Sequence, residues 1–244
     1  MNLVTETAAW LADPSHWTGS GGIPIRLLEH LELSSVSLLL AIAIALPLGL
    51  FIGHTGRGAS FAVNLANVGR ALPSLAVIGI VVPVTAAIDP QLGFKVYPTI
   101  IAMIVLAAPP ILVNAYAGIG GVDREVIESG RGMGMRERQI LRGIEIPLAM
   151  PVLMGGIRSA AVQIVATATL GAIFGSGGLG RFLVEVIAQN NDGMIFSGVV
   201  LVAGLSLATE LTFALIQRAW TSPGLRTDDL RPGATAPAPA TRPA

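Results

Sequence analysis

The chain has 244 residues, of which 52% are hydrophobic and only 12% charged, and its net charge is zero. A soluble domain carries about 25% charged residues, so this composition and a mean hydropathy of +0.71 place the chain in a bilayer and exclude nucleic acid as an electrostatic partner. The absence of cysteine removes disulfides, thiol chemistry and cysteine-ligated metal. His16, His30 and His54 lie too far apart for a metal-ligand spacing and read as interfacial or loop residues.

Residues 1–32 hold Trp10 and Trp17, then Pro24 opening the pattern I-x-R-L-L-E-H-L. This reads as an external segment ending in an interfacial helix that feeds the first span. A spanning helix needs about 20 mostly apolar residues. Five stretches qualify: 33–53, 60–84, 97–117, 149–174 and 194–217. The fold class is therefore all-α, a polytopic integral membrane protein with its spans between residues 33 and 218. The second stretch is the least regular, because Arg70 and Pro73 interrupt it and Pro83 closes it. Each proline removes a backbone donor, so this segment is expected to be kinked and packed among neighbours rather than facing lipid. Residues 219–244, rich in Pro, Ala, Gly and Thr, read as a disordered cytoplasmic tail.

The polar stretch 118–150 separates the third and fourth spans. Arg124, Arg131, Arg136, Arg138 and Arg142 alternate there with Asp123, Glu125, Glu128, Glu137 and Glu145, so it must lie in water. Together with Arg57, Arg218, Arg226, Arg231 and Arg242, one set of loops holds ten basic residues. The opposite set holds three, Arg26, Lys95 and Arg181. The basic excess puts the polar loop and the C-terminus in the cytoplasm and the N-terminus outside. Within the loop, Val122, Val126, Ile127 and Met133 recur at helical spacing, Asp123 fits an N-cap and Glu125 the positive end of a helix dipole. Gly130, Gly132 and Gly134 are expected to break this helix. A second short helix, 135–144, is expected to stop before Pro147. Two short helices at an angle, with one apolar edge, read as a docking surface or as a solvated connector.

Glu128-Ser129-Gly130, then Gly134, then Ile144-Glu145-Ile146-Pro147 resembles the E-A-A-x-x-x-G-x(9)-I-x-L-P signature of the permeases of type I ABC importers. The departures are Ser129 and Gly130 in place of two alanines, Ile146 in place of leucine, and Arg136 where a helix-capping Ser or Thr is common. Further blocks are similar to permeases for glycine betaine, carnitine and choline: 71–76 with Pro73 and Ser74, 110–118 with Asn114 and Tyr116, Gly156-Ile157-Arg158, and 175–180 with Gly177, Gly178 and Gly180. The resemblance covers residues 23–220. It implies a coupling loop, carried by Asp123, Glu128, Ser129, Gly130, Gly134, Ile144 and Pro147, that docks on a separate ATPase. It also implies a second permease subunit, like or unlike, two ATPase subunits that bind the ATP and magnesium, an extracytoplasmic binding protein, and a multi-pass place in a bacterial plasma membrane. No catalytic residue, metal or cofactor of this chain's own is expected.

Other features have competing readings. The 175–180 block lacks the Lys-Ser/Thr of a phosphate loop and reads as a tight turn at the outer mouth, leading into an amphipathic segment, 181–190, or as part of an external gate. Arg70 and Arg158 fall in apolar runs, where a charge must be sheltered. Pairing or snorkelling is expected for both, with a place on the translocation path as the alternative for Arg158. Glu210 is the intramembrane carboxylate and is expected to face protein. Asn114 and Tyr116 are candidate path residues. Alternatives to osmoprotectant transport are carriage of another small solute such as an amino acid or ergothioneine, an intramembrane enzyme, and a scaffold without transport.

Overall fold

A computed structural model describes residues 3–184, 192–222 and 224, without the side chains of Phe61, Arg70 and Asp192. The chain beyond 224, residues 185–190 of the amphipathic segment and the expected role of Arg70 lie outside the described residues. The elements in order are α1 (Leu3–Ala12), a 3₁₀ turn (Pro14–Trp17), α2 (Ile23–Thr55), α3 (Ala59–Ala71), α4 (Ser74–Ile88), α5 (Leu92–Lys95) and α6 (Tyr97–Gly120). Next come α7 (Arg124–Gly132), α8 (Glu137–Ile140), a π turn (Leu141–Glu145), α9 (Ile146–Thr167), a 3₁₀ segment (Ala168–Phe174), α10 (Arg181–Val184) and α11 (Asp192–Trp220). Among the described residues four helical stretches are long and apolar enough to cross a bilayer, and a fifth crossing results if the bent pair α3–α4 counts as one.

Helix α2 is continuous from Ile23 to Thr55, so the interfacial helix and the first span are one element and the 32/33 boundary falls inside it. Pro24 sits in its first turn, where the missing N–H costs nothing. Gly56 ends it in the left-handed region at φ 69°, donating its N–H to Ile52 O. At about 1.5 Å per residue this helix outreaches a hydrocarbon core of about 30 Å, which agrees with Arg26, Glu29 and His30 lying near one end. The irregular second stretch is more than kinked. Its two helices meet at 95°, with Pro73 at the N-cap of α4 and Leu72 extended before it. Proline disfavours α conformation in the residue before it, and the extended Leu72 turns the chain here.

Helix α6 is the centre of the bundle, packed by α2 on one side and α9 on the other, with α3 and α4 against it. Helix α11 packs on α9, and α1 folds back onto α11. The contacts at the centre are made by small residues. A side chain at Gly49 would come within 2.5 Å of Ala115 Cβ and 2.8 Å of Leu112 O, and one at Gly53 within 2.7 Å of Ile119. Across the other side, Gly156 faces Asn114 and Pro110 in the same way. Close backbone approach of this kind is how helices associate where lipid removes the hydrophobic drive. Met103, Ala107, Ile111 and Leu112 of α6 join Ala41, Ala45, Ala160 and Ile164 in the main core.

Gly49→Val should therefore separate α2 from α6 and destabilise the chain by about 1–3 kcal/mol. Gly79→Val, where nothing lies within 4 Å, should cost little. Melting temperatures of the two variants in detergent test this, and equal values would contradict the packing described.

Candidate functional site

The charged loop is a folded element continuous with the spans. Asp123 caps α7, its Oδ1 accepting the Glu125 N–H at 2.9 Å. Gly130 does not break α7, which runs through it to Gly132, its last residue; the break expected of the glycines falls there, in a paired-carbonyl cap. Met135 N–H donates to Gly130 O at 3.1 Å and Gly134 N–H to Arg131 O at 2.9 Å, with Gly134 at φ 83°. Gly130 is buried, and a methyl there would lie 2.9 Å from Ile144 Cδ1. Absence of a side chain at Gly130 thus lets Ile144 and Met135 close over the turn.

The second helix does not stop before Pro147. From Glu137 the chain is helical through Phe174, passing through the π turn and entering α9 with Pro147 in its first turn. A π turn relaxes the i−4 register in which proline would clash, so the loop runs into the span without a joint. Arg136 takes the N-cap position of α8 but has no acceptor atom. Gln139 replaces the missing cap from the other side, its Oε1 accepting Arg136 N–H at 2.8 Å.

The apolar edge of the loop is split. Val122 and Ile127 turn inward, while Val126 is 42% and Met133 76% exposed. Glu128 and Ser129 are exposed beside them. Arg131 makes two hydrogen bonds to Glu137, at 2.8 and 3.0 Å. Those bonds raise the guanidinium pKa above its ordinary value, so Arg131 is a fixed cation.

His54, far from this loop in sequence, reaches it from the end of α2. Its Nδ1 lies 2.5 Å from Glu145 Oε2 and its Nε2 3.4 Å from Glu137 Oε2. The Glu145 side chain is only 4% exposed. A buried carboxylate left without its partner costs the desolvation of the unpaired group, so this hydrogen bond holds α2 to the start of α9. A polar cleft of about 260 Å³ lies alongside, between the end of α2, the end of α6 and α7.

At the other end, Gly175, Gly177 and Gly178 all have positive φ, which permits the tight turn expected there. Gly178 N–H donates to Glu29 Oε2 at 2.8 Å, and Glu29 pairs with Arg26. His30, expected at an interface, is fully buried in α2, with its Nε2 2.9 Å from Val165 O. Gly180 is held against Thr169 and Ala172.

The remaining candidates are not brought into one cluster. Asn114 donates to Pro110 O of its own helix at 2.8 Å and packs between α6 and α9. Tyr116 is half-buried against the core. Pro73 and Ser74 form the exposed elbow of α3 and α4. Arg158 of α9 meets Glu210 of α11 at 3.2 Å, with side chains 35% and 41% exposed. The pair sits about 18 Å along α9 from Ile146, near mid-span. Arg158 thus shows the expected pairing, with Glu210 turned toward α9. His54, Met133 and Glu29 were absent from the sequence-derived candidates. Met133 carried a signal as part of the helical apolar edge, and the other two carried none.

A bundle of apolar helices with a folded charged loop, and charges at mid-span held in a pair, is an architecture suited to a membrane transport subunit. Residues 45–227 match the family of binding-protein-dependent transport system inner membrane components, and the chain belongs to that family. It is 35% identical to the carnitine transport permease protein OpuCB of Listeria monocytogenes over 83% of this chain and 89% of the relative. It is 32% identical to the choline transport system permease protein OpuBB of Bacillus subtilis over 86% and 93%. It is 31% identical to the osmoprotectant import permease protein OsmW of Salmonella typhimurium over 81% and 91%. The fold is that of the inward-facing MetNI methionine ABC transporter, with a TM-score of 0.75 at 23% identity, covering 86% of this chain and all of that one.

Gly134→Val should abolish ATP-driven uptake while the chain still reaches the membrane, since a β-branched residue is an outlier at positive φ. Normal uptake by that variant would contradict the role given to the turn. Glu210→Leu should reduce the amount of assembled protein by leaving Arg158 unpaired, and the double variant Arg158→Leu/Glu210→Leu should recover part of it. Full assembly and uptake with Glu210→Leu alone would remove any role for the pair.

Proposed function

We propose that this chain is the membrane subunit of an ATP-driven importer for small quaternary ammonium osmoprotectants such as glycine betaine, carnitine and choline. The observation that carries this reading is the end-to-end similarity to permeases named for carnitine, choline and osmoprotectants, over more than four fifths of both chains. In this reading two permease subunits enclose the path and a binding protein delivers the cargo. Two ATPase subunits, holding the ATP and magnesium, dock on the exposed surface of α7 made by Val126, Glu128, Ser129 and Met133.

The charged loop then faces the cytoplasm. Among the described residues, Arg57, Arg218 and the five arginines of 118–150 lie at its end of the bundle, and Arg26, Lys95 and Arg181 at the other, which fits the excess of basic residues on cytoplasmic loops. The path runs beside the elbow at Pro73 and Ser74, whose backbone cannot face lipid, and beside the Arg158–Glu210 pair, whose exposed side needs protein or water. The glycine turn at 175–180 lies at the outer mouth. Aromatic residues make up only 5% of the chain, too few to build a cage for a quaternary ammonium in the spans. Selection therefore rests with the binding protein.

Uptake of labelled glycine betaine at raised osmolarity, in a transport-deficient strain carrying the whole system, tests the proposal. Uptake that unlabelled carnitine or choline competes away is expected. Uptake competed only by amino acids, or no uptake, would contradict it.

A further inference from the structure

We infer that His54 is a positioning residue for energy coupling: through Glu145 it ties the end of α2 to the start of α9, beside Glu137 of the charged loop, so movement of the loop is passed to α2 as well as to α9. The inference rests on the reading of the loop as the ATPase contact. His54 Nδ1 is hydrogen-bonded to Glu145 Oε2 at 2.5 Å across 91 residues of sequence, and Nε2 lies 3.4 Å from Glu137 Oε2.

The two arms differ in character. Glu145 is buried at the π turn and is anchored to α9, whereas Glu137 is 57% exposed on α8 and is shared with Arg131 of α7. The chain α7–Arg131–Glu137–His54–Glu145–α9 therefore has one fixed and one breakable contact. The cleft beside it, about 260 Å³, gives the ring and the loop space to shift without opening a packed core. The other charged groups on this cleft are Arg124, Glu128 and Arg131 of α7, with Arg57 just beyond the end of α2, and α6 contributes no titratable group.

The test uses the complete transporter in liposomes, with uptake of labelled glycine betaine per ATP hydrolysed as the readout. His54→Ala should lower this ratio several-fold while ATP hydrolysis continues. His54→Asn, whose amide nitrogen can donate to Glu145 in place of Nδ1, should keep most of the coupling. Normal coupling in His54→Ala, or an equal loss in His54→Asn, would overturn the inference. Melting temperature of the isolated permease needs no substrate. A fall in His54→Ala that His54→Asn restores supports the tie even if glycine betaine is not the cargo, and an unchanged melting temperature in His54→Ala overturns it.

Discussion

Helices in a bilayer gain nothing by hiding from lipid, so this fold depends on how closely their backbones can approach. The approach is made around α6. Gly49 and Gly53 bring α2 onto Ala115 and Ile119, and Gly156 brings α9 onto Asn114 and Pro110. With both neighbours fixed to one central helix, the ends of α2 and α9 are brought together beneath the charged loop. That is what puts His54 against Glu145.

The loop inherits its rigidity from this arrangement. It leaves α6 through Gly121 and the Asp123 cap, reverses at Gly134, and returns through the π turn into α9 with no unstructured joint. A displacement of α7 reaches α9 through the tight turn at 133–136 and the helical run that starts at Glu137. Mid-span, α9 carries Arg158, paired to Glu210 of α11. A push on the return arm of the loop therefore reaches α11 through one continuous helix and one ion pair. Transport driven from a separate ATPase needs that kind of stiffness.

Most of the class and the outline were legible from local chemistry. Apolar run length located the spans, Asp123 declared itself as a cap, and the basic residues separated the two ends. The misreadings came where a local rule met tertiary context. Gly130 looked like a helix breaker, yet it is the residue on which Ile144 closes, while Gly134 makes the turn. Pro147 looked like a stop, but a π turn ahead of it removes the clash on which that rule rests. The 95° elbow at Pro73 looked like a kink, because proline announces a bend without its size. His54 and Glu145 are 91 residues apart, and no spacing in one sequence joins them.

The central claim is that the surface of α7 is where the driving subunit binds. The chain contains no cysteine, so Met133→Cys places one thiol at the tip of the loop, at a position that is 76% exposed. Cross-linking from this thiol in membranes holding the complete transporter should capture the ATP-binding subunit and should change on addition of ATP. Labelling of the same thiol by an impermeant reagent from outside intact cells, with no cross-link to an ATPase, would contradict the account.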